Sequence, residues 1–325
     1  MQETVYRLSE SSHARAISAA KFNSSSTQFV VGTVGLREPN KVAVLEFEED
    51  KVALELVSSW DYQDEVWELA CSPSAPQIAV ANTSNLVEVF SIQEDLQRLT
   101  ALEHSGLVNS LDWTERSFCT STKTELHNWD LEKQTSDKVI DTNITRSLAD
   151  PHHESLLAYS NSSAIKVHDF RDKSSAFEIK QAHCDEILSL DFNPNNPYHM
   201  VSSSKDCTAR IWDMRKEKPL KTIQEHTHWV WQAKFNHYHD QLMLTAGSDN
   251  CVTLQRTITG SSAPIDESFF ERETDATLSR IENFDDSVYG VCWSAAEAWY
   301  FGCISYDSKV TVGVVPTEEK YKILL

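Results

Sequence analysis

Residues 182–213, AHCDEILSLDFNPNNPYHMVSSSKDCTARIWD, and residues 225–256, EHTHWVWQAKFNHYHDQLMLTAGSDNCVTLQR, are two copies of one pattern. In each, a large apolar residue follows the first histidine by nine positions, His183 to Phe192 and His226 to Phe235. The same step separates His104 from Trp113 and His13 from Phe22, and Phe284 to Trp293 keeps it with the histidine lost. Prolines at 73, 151 and 194 mark a shared turn. Each unit then ends on an alternating run, as in NKVAVLEFE, NLVEVFSI, CTARIWDMR and SKVTVGVVP, the pattern of half-buried or buried strands. The run ends fall at Phe47, Phe90, Trp129, His168, Trp212, Gln255 and Gly313, in steps of 43, 39, 39, 44, 43 and 58.

All but the last step lie near the period of about 40–45 residues expected of four-stranded propeller blades. The spacing therefore predicts an all-β chain, one seven-bladed propeller over residues 1–325. Only three strands are evident in the last unit, so ETVYRL near the N-terminus is expected to supply its fourth and close the ring. The long last step requires an insertion, read as an exposed acidic loop over about 257–280, and residues 316–325 are read as a C-terminal tail.

The units resemble the WD-repeat family, whose pattern is a histidine between blades, a small hydroxyl residue, a turn aspartate and a final Trp-Asp. His183, Ser202, Asp206 and Trp212–Asp213 match it fully. The next unit has His226, Thr245 and Asp249, with Gln255 in place of tryptophan. Elsewhere the pattern is degraded: Lys123 stands where aspartate is expected, His168 replaces tryptophan, and Trp60–Asp61 is out of phase. His226, Thr245 and Asp249 have the residue types of a hydrolytic triad, but their counterparts recur at the same phase in other units, as a single catalytic triad would not. They, and His183, Ser202, Asp206 and Trp212 in the preceding unit, are expected to form a structural hydrogen-bond relay inside the blade. His226/His228 and His237/His239 have the spacing of zinc-ligand pairs; His226 is already committed to the relay, and His237, His239, His152 and His153 are expected in turns.

Aspartate and glutamate number 49 against 29 lysines and arginines, a formal net charge of −20. Such a chain repels phosphate backbones and anionic headgroups, so nucleic-acid binding is not expected and protein partners are favoured. The seven cysteines are scattered without a Cys-x-x-Cys, the usage of free thiols in a reducing compartment. No signal-peptide core and no run of about 18 apolar residues is present, so a cytoplasmic protein without direct membrane insertion is expected. No phosphate-binding glycine loop occurs among eight glycines; no cofactor, metal or catalytic residue is expected.

Three segments narrow the resemblance. EHTHWVWQAKFNHYHDQLMLTAGSD, DDSVYGVCWSAAEAWYFGCISYDSKV and the C-terminal VPTEEKYKILL resemble the family of EARP- and GARP-complex-interacting WD-repeat proteins. The resemblance implies an adaptor, monomeric within a larger assembly, for the tethers that capture endosome-derived vesicles. It implies roles in endosomal recycling, endosome-to-Golgi retrograde transport and dense-core vesicle cargo sorting. It also implies a peripheral place at the trans-Golgi network and recycling endosomes. A different class is open. HDFR at 168–171 and WDMR at 212–215 resemble the box by which WD-repeat substrate receptors dock on the adaptor of cullin-RING ubiquitin ligases, through Asp169, Arg171, Asp213 and Arg215. In either case, WD-repeat propellers turn the residues three and five positions after the blade histidine toward the ring opening. That offset selects Trp229 and Trp231, Ser287 and Tyr289, Glu186 and Leu188, and, counted from Tyr62, Glu65 and Trp67. Aromatic anchors with a polar rim are the usual makeup of a protein-binding hot spot.

Overall fold

The computed structural model describes the chain apart from residues 1–2, 9–11, 36–38, 116–117, 142, 173, 217, 263–273 and 325. Its strands form seven antiparallel four-stranded sheets, one per sequence unit. These blades span residues 13–62, 66–103, 110–140, 144–179, 187–223, 230–281 and 288–314. Each inner strand touches the inner strands of two neighbours, blade 7 returning to blade 1, so the ring is closed. All seven run ends named above lie on the third strand of their blade.

Strand Glu3–Arg7 pairs with Lys309–Val314 and completes blade 7, as the missing fourth strand required. The pairing joins the two ends of the chain and covers what would otherwise be an open edge. The last blade is extended by helix Thr317–Leu324, which corrects the tail read at 316–325. The helix is docked: buried Glu319 accepts from Arg256 Nη1 on both carboxylate oxygens at 3.0 and 3.1 Å, and Ile323 packs on the core between blades 6 and 7. The insertion is narrower than 257–280. Ile258–Gly260 is a 3₁₀ turn whose Gly260 carbonyl accepts from Asn193 and His199, and Ala276–Ile281 is the outer strand of blade 6. Residues 263–273 of that loop lie outside the described residues.

The core is divided among the blade junctions. One cluster joins blades 1 and 2 through Val30, Val44, Val66, Leu69 and Ile78, and another joins blades 6 and 7 through Leu244, Leu254, Val291, Trp293 and Phe301. Strands buried on both faces read as continuous apolar runs, which is why LMLTAG and YFGCIS show no alternation. The wedge-shaped junctions are tight near the axis. A Cβ on Gly32 of blade 1 would lie 2.2 Å from Val66 Cγ1 of blade 2.

Candidate functional site

Six of the seven inner strands slip by one residue near their start, between Ala14 and Ala16, Val66 and Glu68, Ile144 and Arg146, Ile187 and Ser189, Val230 and Gln232, and Val288 and Gly290. A bulge leaves one residue unpaired and re-aims its side chain. The residues so released are Arg15, Trp67, Thr145, Leu188, Trp231 and Tyr289. Four of them meet. The Arg15 guanidinium carbon lies 4.0 Å from the Trp67 ring centroid, 4.9 Å from Tyr289 and 5.6 Å from Trp231. Trp231 packs on Tyr289 at 4.8 Å, and its indole donates to Ser248 Oγ at 2.6 Å. Trp229 stands edge-on to Trp231 at 5.9 Å, and Tyr306 bridges from Tyr289 to a stacked His13.

The structure thus brings Trp67, Trp229, Trp231 and Tyr289 together at the ring mouth. Trp229 is the outermost, 38% exposed, with the Lys205 ammonium 4.9 Å over its ring. Lys205 also pairs with Glu186, and Glu65 is half-buried at the head of blade 2. Ser287 contributes a backbone carbonyl to Tyr306 N–H. Leu188 is a correction: it occupies a bulge but is 6% exposed, and its carbonyl accepts from Arg146 Nε at 2.5 Å. An aliphatic side chain at that position folds into the protein rather than facing water.

Arg15 was not selected from the sequence because the His13-to-Phe22 step is a coincidence. By register, Arg15 corresponds to Trp231, so His13 corresponds to Trp229 and not to His226; Ala19, not Phe22, corresponds to Phe235. The available signal was a lone arginine among the alanines of the strand HARAISA.

The relays lie beside this mouth, inside the blades. In blade 5, Trp212 Nε1 donates to Ser202 Oγ at 2.8 Å, Ser202 meets His183 Nε2 at 2.7 Å, and His183 Nδ1 meets Asp206 at 2.9 Å. Blade 6 keeps the outer links, His226 to Asp249 and to Thr245 at 2.8 Å each, and replaces the indole by two residues: Gln255 donates to Thr253, which meets Thr245 at 2.6 Å. Blade 3 runs Trp129 to Thr120 to His104 and ends on the Leu102 carbonyl, since Lys123 offers no acceptor. Burial opposes ionisation of Asp206, but bonds from His183 and Thr208 outweigh it and hold the carboxyl well below the usual range. Ser202 and Thr245 are fully buried, and each hydroxyl is committed at both ends, so neither is a nucleophile facing a substrate cleft.

The EIPR1 beta-propeller family model matches residues 2–255, from the closing strand to the third strand of blade 6. The chain belongs to the EIPR1 beta-propeller family. It is 28% identical to the EARP-interacting protein homolog of Gekko japonicus and 27% identical to the EARP and GARP complex-interacting protein 1 of Homo sapiens, with 96% of each chain covered in both cases. It is also 27% identical to the WD repeat-containing protein DWA2 of Arabidopsis thaliana, over 92% of this chain and 93% of that one.

In this EIPR1 beta-propeller the two Asp-x-Arg sequences have a local explanation. Arg171 Nε and Nη2 grip Asp169 at 3.2 and 2.8 Å, and Arg215 grips Asp213 at 2.8 and 2.9 Å. Each pair closes the turn at its own strand end, and the arginine bonds bring Asp169 down to about 2. Because the pairs are satisfied within their own turns, the ligase-docking reading has no support from them. The zinc-pair spacings do not converge either: His226 turns into the relay while His228 is exposed against Trp229, and His239 stacks on Trp299. His226, Asp249 and Cys251 do place three potential ligand atoms within 4.8 Å. Cys251 stands where blade 5 has Thr208, and burial with the nearby Asp249 carboxylate pushes its thiol up, so it remains a hydrogen-bond donor to Asp249 at 3.1 Å.

Proposed function

We propose that this chain is a non-enzymatic adaptor that binds the EARP and GARP vesicle-tethering complexes through the aromatic mouth of its ring. The observation that carries the reading is the near end-to-end likeness to proteins whose names state interaction with those complexes. A closed ring with a half-exposed cluster of tryptophans and tyrosines, rimmed by Glu65, Glu186 and Lys205, has the composition of a hot spot inside a polar rim. The adaptor acts as a monomer within the larger assembly. It supports endosomal recycling, endosome-to-Golgi retrograde transport and dense-core vesicle cargo sorting. It is cytoplasmic and reaches the trans-Golgi network and recycling endosomes through its partners.

The test is affinity purification with the Trp229→Ala, Trp231→Ala double variant, and with Trp229→Ala alone, since Trp229 is the more exposed and the less embedded. The double variant should lose the tether subunits while melting as a folded protein. Normal capture by a folded double variant excludes this face and directs attention to the blade edges and to helix Thr317–Leu324.

A further inference from the structure

An aromatic basket at the mouth of a ring would ordinarily be read as a site for a partner's cation. Here the position is filled from within. Arg15 lies over Trp67, Tyr289 and Trp231 at 4.0, 4.9 and 5.6 Å, so the ring faces that would receive a lysine or arginine from outside are already engaged. What the basket leaves over is the hydrogen-bonding capacity of the guanidinium. A guanidinium carries five N–H donors, and among the described residues none of those on Arg15 is taken by a hydrogen bond or an ion pair. Its surroundings differ from those of the neighbouring Arg146, which donates to the Leu188 carbonyl and lies 3.7 Å from Glu68. Arg15 is half-buried, where donors without acceptors are costly and an arriving acceptor is worth more than in bulk water.

We propose that Arg15 is the reading head of the mouth, and that it takes a single carboxylate, from an Asp or Glu side chain or a chain terminus, of the protein partner. This deepens the proposed function and rests on its assignment of the mouth as the binding face. Charge favours a carboxylate over a phosphate group. Arg15, Arg146 and the rim Lys205 are matched in number by Glu65, Glu68 and Glu186, so the mouth of a chain whose net charge is −20 carries no positive excess that would hold a dianion. A doubly charged phosphate meets the repulsion of the whole molecule more strongly than a single carboxylate does. The planar guanidinium edge matches a carboxylate in a bidentate pair. The rings hold the guanidinium in place before the partner arrives, so little rotamer freedom is lost on binding. The division of labour is then Arg15 for orientation and register, and Trp229 for contact area at the rim.

Two experiments test this on the full chain. In the first, wild type, Arg15→Lys, Arg15→Gln and Trp229→Ala serve as baits for the tether. Arg15→Gln should bind at least about thirtyfold more weakly at an unchanged melting temperature. Arg15→Lys, which keeps the charge but loses the fork, should recover only part. A folded Arg15→Gln that captures tether like wild type overturns the carboxylate site, while loss with Trp229→Ala in the same experiment keeps the binding face. If wild type itself captures no tether, the proposed function fails, and the second experiment decides the site alone. It follows tryptophan fluorescence during titration with an acetylated Gly-Glu repeat peptide, its Gly-Gln counterpart and inorganic phosphate. Response to the glutamate peptide only, absent in Arg15→Gln, supports the site. Equal response to the glutamine peptide, Arg15-dependent response to phosphate instead, or no response at all, overturns it.

Discussion

Gln255 shows how far a buried polar chain tolerates a change of residue. Its amide is shorter than an indole and cannot span from the third strand to Thr245, and Thr253 fills the gap with a second hydroxyl. The direction of donation survives, toward His226 and then Asp249. Such chains stabilise because every member has a partner, and removal of one leaves the rest unpaired. Asp206→Ala should therefore lower stability by about 1–3 kcal/mol, because Asp206, 9% exposed, accepts from His183, Thr208 and the Cys184 amide. A chemical-denaturation midpoint equal to wild type would count against the relay. The pH dependence has a definite sign. Burial keeps His183 below its usual range and brings His104 down to about 4, so the unfolded chain binds protons there more readily than the folded one. That contribution is present above about pH 6.5 and is lost as pH falls through the interval below it. Asp206 and Asp249 are depressed, so theirs is present above about pH 4 and is lost on further acidification. The melting temperature should decline between pH 7 and 5 and more steeply below 4, with His104→Gln flattening the upper interval; a flat profile from 7 to 5 would contradict it.

At the scale of the strand, the bulge is the device that makes a surface from a core element. An inner strand is buried on both faces, and an unbulged one would keep Trp67, Trp231 and Tyr289 in the pairing register. Releasing one residue at the head of each strand turns these rings to the mouth without interrupting the pairing that follows. An inner strand also approaches the second strand of the preceding blade closely at the junction, where glycine is the residue that fits. Gly32→Ala would place a Cβ 2.2 Å from Val66 Cγ1 and 2.6 Å from Val66 Cβ, backed by the blade 1–2 core. Overpacking of this kind costs about 1–3 kcal/mol, and Val66→Ala in the same chain should return part of the loss by making room. Equal unfolding midpoints for the Gly32→Ala single and wild type would show that the junction relaxes freely.

For the molecule as a whole, closure is the decisive event. Blade 7 is assembled from both ends of the chain, and helix Thr317–Leu324 then ties the end of blade 7 to blade 6 through Glu319 and Arg256. Removing residues 1–8 would leave Lys309–Val314 as an unpaired edge. The truncated protein should melt lower and associate in proportion to concentration, as followed by light scattering on a sizing column. A monomer with the wild-type melting temperature would show that the ring holds without its closing strand.

Spacing along the chain suffices for the repeat, the number of blades, the closing strand, the relays of blades 5 and 6 and the choice of aromatic residues that meet at the strand heads of blades 2, 6 and 7. Six of the blades are folded from consecutive residues, so their marks recur at a fixed local spacing, and the closing strand is called for by the missing fourth strand of the last unit. Whatever depends on blades meeting is settled only when the ring closes. Arg15 was hidden because its histidine-like marker, His13, sits three residues away from the true phase, and only the register of blade 1 against its own second strand exposes the slip. Leu188 and Trp231 share a position along their strands, yet one folds inward and the other faces the mouth, since burial is set by the neighbouring blade. The C-terminal KYKILL has no repeat to mark it, and becomes a docked helix because Arg256 of blade 6 waits for Glu319 and the core between blades 6 and 7 takes Ile323. Spacing along a chain records pairing within a sheet; which faces stay wet is a property of the closed ring.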